Sequence, residues 1–257
     1  MLPSGSFADR VAMVTGGSSG IGESIATELA DLGATVVILG RDRERLDGAC
    51  ERIAATAGRV HGHAVDVRDR ESVDAAVEAV VSRHGRIDHL VNAAAGNFRV
   101  APEQMSPNAW NAVVRIVLDG TWHCTQAVAR HLLDRGSAGS VLNIGSTMAF
   151  QGGPDTVHSA SAKAGVVAMT KSLAAAWGPR GIRLNVLVPG MTEDTGGIRA
   201  LHQDQQVHDT ALARIPLGRL GNRQELAHAA AYLLSDFAGY VTGTTLVMDG
   251  GRSLGRT

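Results

Sequence analysis

Three side chains in this chain of 257 residues stand at a spacing that could do chemistry: Ser146, Ser159 and Lys163. Ser159 and Lys163 lie one helical turn apart, so a hydroxyl and an ammonium share a face and can both donate hydrogen bonds. Donors held in that way stabilise negative charge as it develops on a carbonyl oxygen. A proton donor is missing beside them. The sequence holds two tyrosines, Tyr232 and Tyr240, both far along the chain from this stretch. Ser159 cannot stand in for a phenol, which titrates near pH ~10, because an alkyl alcohol is far less acidic. Ser146 reads either as a hydroxyl that polarises the same substrate oxygen or as a plain strand-end hydroxyl. His158 adjoins Ser159 and is of a type that titrates near neutrality. Neighbouring helix positions diverge, however, so it is expected to be a partly exposed structural histidine.

A second group of residues is suited to binding phosphate. Thr15-Gly16-Gly17-Ser18-Ser19-Gly20-Ile21-Gly22 follows a β-branched run and opens directly into a helical pattern. Glycines there allow a tight turn and a close approach of backbone to a pyrophosphate, whose charge meets the helix N-terminus; Gly16, Ser18, Ser19, Gly20 and Ile21 are the candidate contacts. The next strand ends on Gly40-Arg41, where selectivity for NAD would call for an acid to bind ribose hydroxyls. Arg41 instead offers forked donors to a 2′-phosphate, which points to NADPH. Asp66 and Val67 after the third strand and Asn92 at the end of the fourth are expected to line the adenine side of the cleft, although either polar residue could simply cap its strand.

These groups need a frame. Short β-branched runs at Val11–Thr15, Thr35–Leu39, Val60–Val65, His89–Asn92, Ser140–Ile144, Arg183–Val188 and Thr245–Met248 alternate with helical patterns. Most are apolar throughout, the mark of a parallel sheet covered on both faces. Ser106-Pro107 and Asn222 with Glu225 mark helix starts. No linker or repeat divides the chain, so residues 1–257 read as one doubly wound α/β domain with seven parallel strands and helices on both faces. The long connection over residues 189–213 is expected to form a substrate lid.

Composition narrows the function classes. With 24 basic and 25 acidic side chains the net charge is −1, so no global basic field attracts nucleic acid or an anionic membrane. No apolar stretch approaches the roughly 20 residues of a membrane span. Cys50 and Cys124 are too few for a disulfide framework and the first residues carry no signal pattern, which leads us to expect a reduced, cytoplasmic protein. The histidines show no metal-ligand spacing.

Thr15-Gly-x-x-x-Gly-Ile-Gly22, Asp66, Asn92-Ala-Ala, Ser146, Lys163, Pro189-Gly190 and Tyr240-Val-Thr-Gly through Asp249-Gly-Gly251 together resemble the short-chain dehydrogenase/reductase superfamily over nearly the whole chain. Ala95-Gly-Asn-Phe98, Ser106-Pro-Asn-Ala-Trp110 and Ser159-Ala-Ser-Ala-Lys163 are similar to its 2,4-dienoyl-CoA reductase branch, which also lacks the tyrosine. Leu217-Gly-Arg-Leu-Gly-Asn222 is similar to the peroxisomal members of that branch. The resemblance implies a Rossmann-like fold, a nicotinamide cofactor, an acyl-CoA substrate and a homotetramer. It implies that Lys163 binds the nicotinamide ribose, that Asn97 and Ser159 surround the thioester carbonyl, and that Pro189, Gly190 and Thr192 face the nicotinamide amide. Dienoyl reductases draw their acid from a tyrosine or an aspartate elsewhere; a gap-free alignment puts Met148 and Val117 at those positions, and neither donates a proton. Asp119 lies two residues past Val117, on another face of a regular helix. The expected activity is NADPH-dependent reduction of an enoyl or dienoyl thioester. The alternatives are a carbonyl or 3-oxoacyl thioester reductase with an unusual acid, or an NADPH-binding scaffold. Ala160, Ala162, Ala164 and Ala168 give one helix a small-residue surface that could meet either a partner chain or the sheet.

Overall fold

A run such as Val11-Ala-Met-Val-Thr15 is apolar at every position and is stable as a strand only where helices cover both faces of its sheet. The computed structural model describes residues 2–193 and 205–255, and among these it shows seven strands. They are β1 (Val11–Thr15), β2 (Thr35–Gly40), β3 (Arg59–Ala64), β4 (His89–Asn92), β5 (Gly139–Ile144), β6 (Ile182–Pro189) and β7 (Thr245–Met248). All pair in parallel, in the order β3-β2-β1-β4-β5-β6-β7. The expected doubly wound, Rossmann-like domain is therefore present, with strand ends within one residue of those read from the sequence.

The helices are α1 (Gly20–Asp31), α2 (Arg43–Ala54), α3 (Arg70–His84), α4 (Pro107–Val114), α5 (Gly120–Asp134), α6 (Met148–Gln151), α7 (Val157–Trp177), α8 (Gln205–Ala213) and α9 (Arg223–Leu234). Strand alternation divides them between two cores. Ala12 and Val14 pack with Ile25 and Leu29 of α1, Ile53 of α2 and Leu226 of α9. Val11 and Met13 pack on the opposite face with Val77 of α3, Leu132 of α5 and Ala174 of α7. Each fully buried side chain of Leu or Ile size contributes about 1.5 to 3 kcal/mol relative to exposure.

A buried polar ladder crosses the second layer. Asn92 Nδ2 donates to Thr125 Oγ1 at 2.9 Å and to Asn143 Oδ1 at 2.8 Å, and Asn143 Nδ2 donates to Thr170 Oγ1 at 2.9 Å. It ties β4 to α5 and β5 to α7, which fixes how α7 lies across the strand ends.

Two elements differ from the sequence reading. Between α4 and α5 the chain forms a π-helical turn over Arg115–Asp119 instead of a regular helix, a widening found often beside functional sites. The alanines of α7 do not share one surface: Ala162 is buried with Val166 against Val113 and Val117, whereas Ala164 and Ala168 are exposed. A helical step of 100° places residues 160, 164 and 168 along one face and 162 with 166 along another. Of the expected lid over 189–213, residues 194–204 lie outside the described residues. No described helix is long and apolar enough to cross a membrane.

Both helix starts read from the sequence are capped. Ser106 Oγ accepts from the Ala109 N–H at 3.1 Å with Pro107 in the first position of α4. At α9 the Asn222 side chain accepts from the Gln224 N–H at 2.8 Å, and Glu225 accepts from the Asn222 N–H at 2.8 Å while pairing with Arg219. Asn222→Ala is expected to destabilise the protein by about 1 kcal/mol, seen as a lower denaturant midpoint at unchanged slope. An unmoved midpoint would show that the box contributes nothing.

Candidate active site

Where β1 and β4 lie side by side, the helices that follow them leave toward opposite faces, and a crevice opens at the strand ends. The structure has a cleft of about 920 Å³ there. Its floor is the glycine turn. Gly16 has φ +65°, and a Cβ on it would stand 2.9 Å from the Ala93 carbonyl oxygen; a Cβ on Gly22 would stand 2.4 Å from the Gly16 carbonyl oxygen. Thr15 Oγ1 locks this contact by accepting from the N–H groups of Ala93 and Ala94 at 3.1 and 3.0 Å. Only glycine lets the turn press this closely on β4.

The turn also fits an anion. Ser19 is of a type that normally caps a helix, yet its side chain makes no capping hydrogen bond to α1. The first N–H groups of α1 therefore keep their donors for a ligand, at the positive end of the helix dipole. Glu23, an acid in that first turn, is paired with Arg52 at 2.7 Å. Ser18, Ser19, Gly20 and Ile21 all line the cleft, so this end of it suits the pyrophosphate of a dinucleotide.

Arg41, Arg45, Asp66 and Val67 line the far end. Asp42 caps α2 through the Arg45 N–H at 3.1 Å and pairs with the Arg45 guanidinium at 3.3 Å, which leaves the exposed Arg41 as the forward cation. Arg45, in the first turn of α2, was missed in the sequence. Asp66 receives the Arg68 guanidinium on both carboxylate oxygens. Hydrogen bonding from Arg68, with Arg41 nearby, holds its carboxyl below the usual range. Asn92 does not line the cleft as expected. Its amide points into the sheet layer, where Thr125 and Asn143 occupy its donors.

The near end collects Ser146, Ser159, Lys163, Asn97, Pro189, Gly190 and Thr192 on one wall. Lys163 is 8% exposed and its ammonium donates to the Ile144 carbonyl at the end of β5. Burial lowers its pKa to about 8. Ser159 is buried one turn before it, and Asn97 is exposed on the loop after β4. Ser146 Oγ accepts from the Met148 N–H at 3.3 Å. Gly190 lets β6 leave the sheet against β7, since a Cβ there would stand 2.5 Å from Asp249 Cα.

The wall is short of acids. Among the described residues its carboxylates are Asp42 and Asp66, both at the far end, and it has no tyrosine, histidine or cysteine. Val117 is on the wall and buried, and Asp119, on the same π turn, is off it. Met148 is also off the wall, its sulfur accepting from Thr156 Oγ1 at 3.2 Å.

His158 contradicts the expectation of partial exposure. It is fully buried, neither ring nitrogen has a hydrogen-bond partner among the described residues, and Phe98 meets it edge-on at 4.7 Å between centroids. Leaving a buried polar group unpaired costs roughly 1 to 3 kcal/mol.

Known proteins place this arrangement. Residues 16–253 match the family described as enoyl-(acyl carrier protein) reductase. The chain is 42% identical over 246 residues to a probable 2,4-dienoyl-CoA reductase, (2E)-enoyl-CoA-producing, of Bacillus subtilis, covering 95% of this chain and 97% of that one. It is 41% identical over 247 residues to the peroxisomal 2,4-dienoyl-CoA reductase, (3E)-enoyl-CoA-producing, of Danio rerio, covering 95% and 82%. The crystal structure of a gluconate 5-dehydrogenase from Burkholderia cenocepacia in complex with NADP and tartrate superposes with a TM-score of 0.89 at 36% identity, covering 96% of each chain. By these matches the chain belongs to the short-chain dehydrogenase/reductase superfamily, as an NAD(P)H-dependent oxidoreductase related to the 2,4-dienoyl-CoA reductases.

Proposed function

We propose that the protein reduces 2,4-dienoyl or enoyl thioesters of coenzyme A with NADPH. The observation that carries this is the composition of the near end of the cleft: the hydrogen-bond donors Asn97, Ser159 and Lys163 in its lining, and no acid beside them among the described residues. Reducing a ketone leaves alkoxide charge that a neighbouring acid must quench. Conjugate reduction spreads the charge into a dienolate whose oxygen needs donors, while the proton goes to carbon and can come from water. Preorganised donors of this kind contribute roughly 3 to 4 kcal/mol each.

The bound nicotinamide would supply the hydride. The chain would hold it with Lys163 on the ribose and Pro189, Gly190 and Thr192 beside the amide, with the α1 N-terminus on the pyrophosphate and Arg41 on the 2′-phosphate. Asn97, Ser159 and the Lys163 ammonium would donate to the thioester oxygen, with Ser146 behind them. Relatives named as dienoyl-CoA reductases support the substrate class, and a structural relative with NADP supports the cofactor. Assembly as a homotetramer belongs to the same reading, with the exposed Ala164 and Ala168 giving α7 a flat outer face; sedimentation velocity checks it.

Purified protein is expected to consume NADPH with dienoyl- or enoyl-CoA esters and to react poorly with ketones and 3-oxoacyl esters. Asn97→Ala and Ser159→Ala should each slow the reaction, by up to about a hundredfold if each is a true oxyanion donor. Brisk ketone reduction with inert enoyl and dienoyl esters would overturn the proposal, and tight NADPH binding without any turnover would favour a scaffold.

Arg41→Ala should weaken NADPH by roughly 1.5 to 3 kcal/mol, the worth of a charge-assisted pair, and leave NADH nearly unchanged, since only NADPH carries the 2′-phosphate. Calorimetry that finds both cofactors weakened equally would remove Arg41 from that role.

Lys163 sets a pH limit. Its burial-lowered pKa of about 8 means that the donating ammonium is present below that pH and lost as pH rises through it. The kcat/KM of the free enzyme, which reports free-enzyme ionisations, should hold below about pH 8 and decline above it. A level profile to pH 10 would contradict this.

A further inference from the structure

Two guanidinium groups line the far end of the cleft, and one of them already holds a counter-ion. We propose that Asp42 and Arg45 form an exchangeable ion pair that tunes the choice between NADPH and NADH, a role that rests on the NADPH assignment proposed above. Arg45 leaves Asp42 for the 2′-phosphate when NADPH binds, joining Arg41, and stays on Asp42 when NADH binds.

Three arginines cluster where β2 runs into α2, and they are not equivalent. Arg41 lines the cleft without an ion pair of its own among the described residues, and its charge reaches Asp66. Arg43 is off the lining and pairs with Asp47 at 3.9 Å. Arg45 is on the lining and pairs with Asp42 at 3.3 Å. The acids at this end differ in the same way. Asp66 is taken up by the Arg68 guanidinium on both oxygens, whereas Asp42 holds only the pair that Arg45 can give up.

Two properties make that pair exchangeable. Its side chains are 76% exposed at Arg45 and 54% at Asp42, so water screens the attraction and little stability is lost when it opens. Its partners are also not orphaned by the exchange. Asp42 uses Oδ2 for the guanidinium and Oδ1 for the Arg45 N–H at 3.1 Å, where it caps α2. The cap and the positive end of the helix dipole keep the carboxylate satisfied once the guanidinium has gone. A 2′-phosphate carries about two negative charges at neutral pH and accepts forked guanidinium donors, which matches Arg41 and Arg45 together. NADH offers a hydroxyl there and gives Arg45 no reason to move. Asp42 therefore opposes NADPH twice, by competing for Arg45 and by setting a like charge beside the phosphate, and it leaves NADH alone.

The test is calorimetric titration of the parent, Arg45→Ala, Asp42→Asn and Arg43→Ala with NADPH and NADH, and with 2′,5′-ADP and 5′-AMP as probes of the adenosine end alone. Arg45→Ala should weaken NADPH and 2′,5′-ADP by about tenfold, the worth of a charge-assisted contact less the exposed pair it replaces. NADH and 5′-AMP should bind it as they bind the parent. Asparagine caps a helix as well as aspartate does, so Asp42→Asn keeps the start of α2 while removing the charge. It should tighten NADPH and 2′,5′-ADP by about three- to tenfold, through lost repulsion and a freed Arg45, with NADH unmoved. Arg43→Ala should change none of the four affinities. Asp42→Asn decides the question even where Arg45→Ala does not fold. A parent that prefers NADPH, with either Arg45→Ala or Asp42→Asn keeping the parent's preference, overturns the role of the pair and leaves the cofactor assignment standing. So does an Asp42→Asn protein that binds NADPH more weakly. A parent that binds NADPH no more tightly than NADH defeats both.

Discussion

The burial of one ammonium organises the near half of the cleft. Lys163 is almost wholly withdrawn from solvent, and the protein replaces its hydration with the Ile144 carbonyl at the end of β5. That exchange works only if α7 lies at a fixed height over β5. The ladder from Asn92 through Asn143 to Thr170 sets the height, because each buried amide in it would otherwise lose its partners. The same helix then presents Ser159 to the cleft and Ala162 to the Val113 and Val117 cluster. Desolvation also lowers the basicity of Lys163, so a residue that anchors the site acquires a titration close to physiological pH.

At the other half the constraint is steric. The turn at Gly16 presses against the backbone after β4, and Thr15 holds it there with two hydrogen bonds. The first amides of α1 are left without a side-chain cap, so their donors face the cleft at the positive end of the helix dipole. Binding an anion and closing the fold therefore draw on the same short segment.

Much of this was legible in the sequence because it is written in local patterns. Apolar runs of strand length gave the seven strands, and caps at Ser106 and Asn222 follow from side chains that reach only their own helix. The glycine turn was legible because its spacing is dictated by backbone contacts. What escaped was set by orientation. Asn92 ends a strand, and which way its amide points depends on Thr125 and Asn143, distant in sequence. The π turn at Arg115–Asp119 leaves no periodic trace, and it changes the facing of Asp119 relative to a regular helix. His158 was expected to be partly exposed because only the fold brings Phe98 against it.

The central claim is that a wall with oxyanion donors and no acid beside them performs conjugate addition. Its most direct measurement is a single turnover with NADPH deuterated at the transferring C4 position and a 2,4-dienoyl-CoA, with the label located by NMR or mass spectrometry. The account predicts deuterium at C5 of an enoyl thioester that keeps its carbonyl. Deuterium on a carbinol carbon, formed by attack at a carbonyl group, would contradict it.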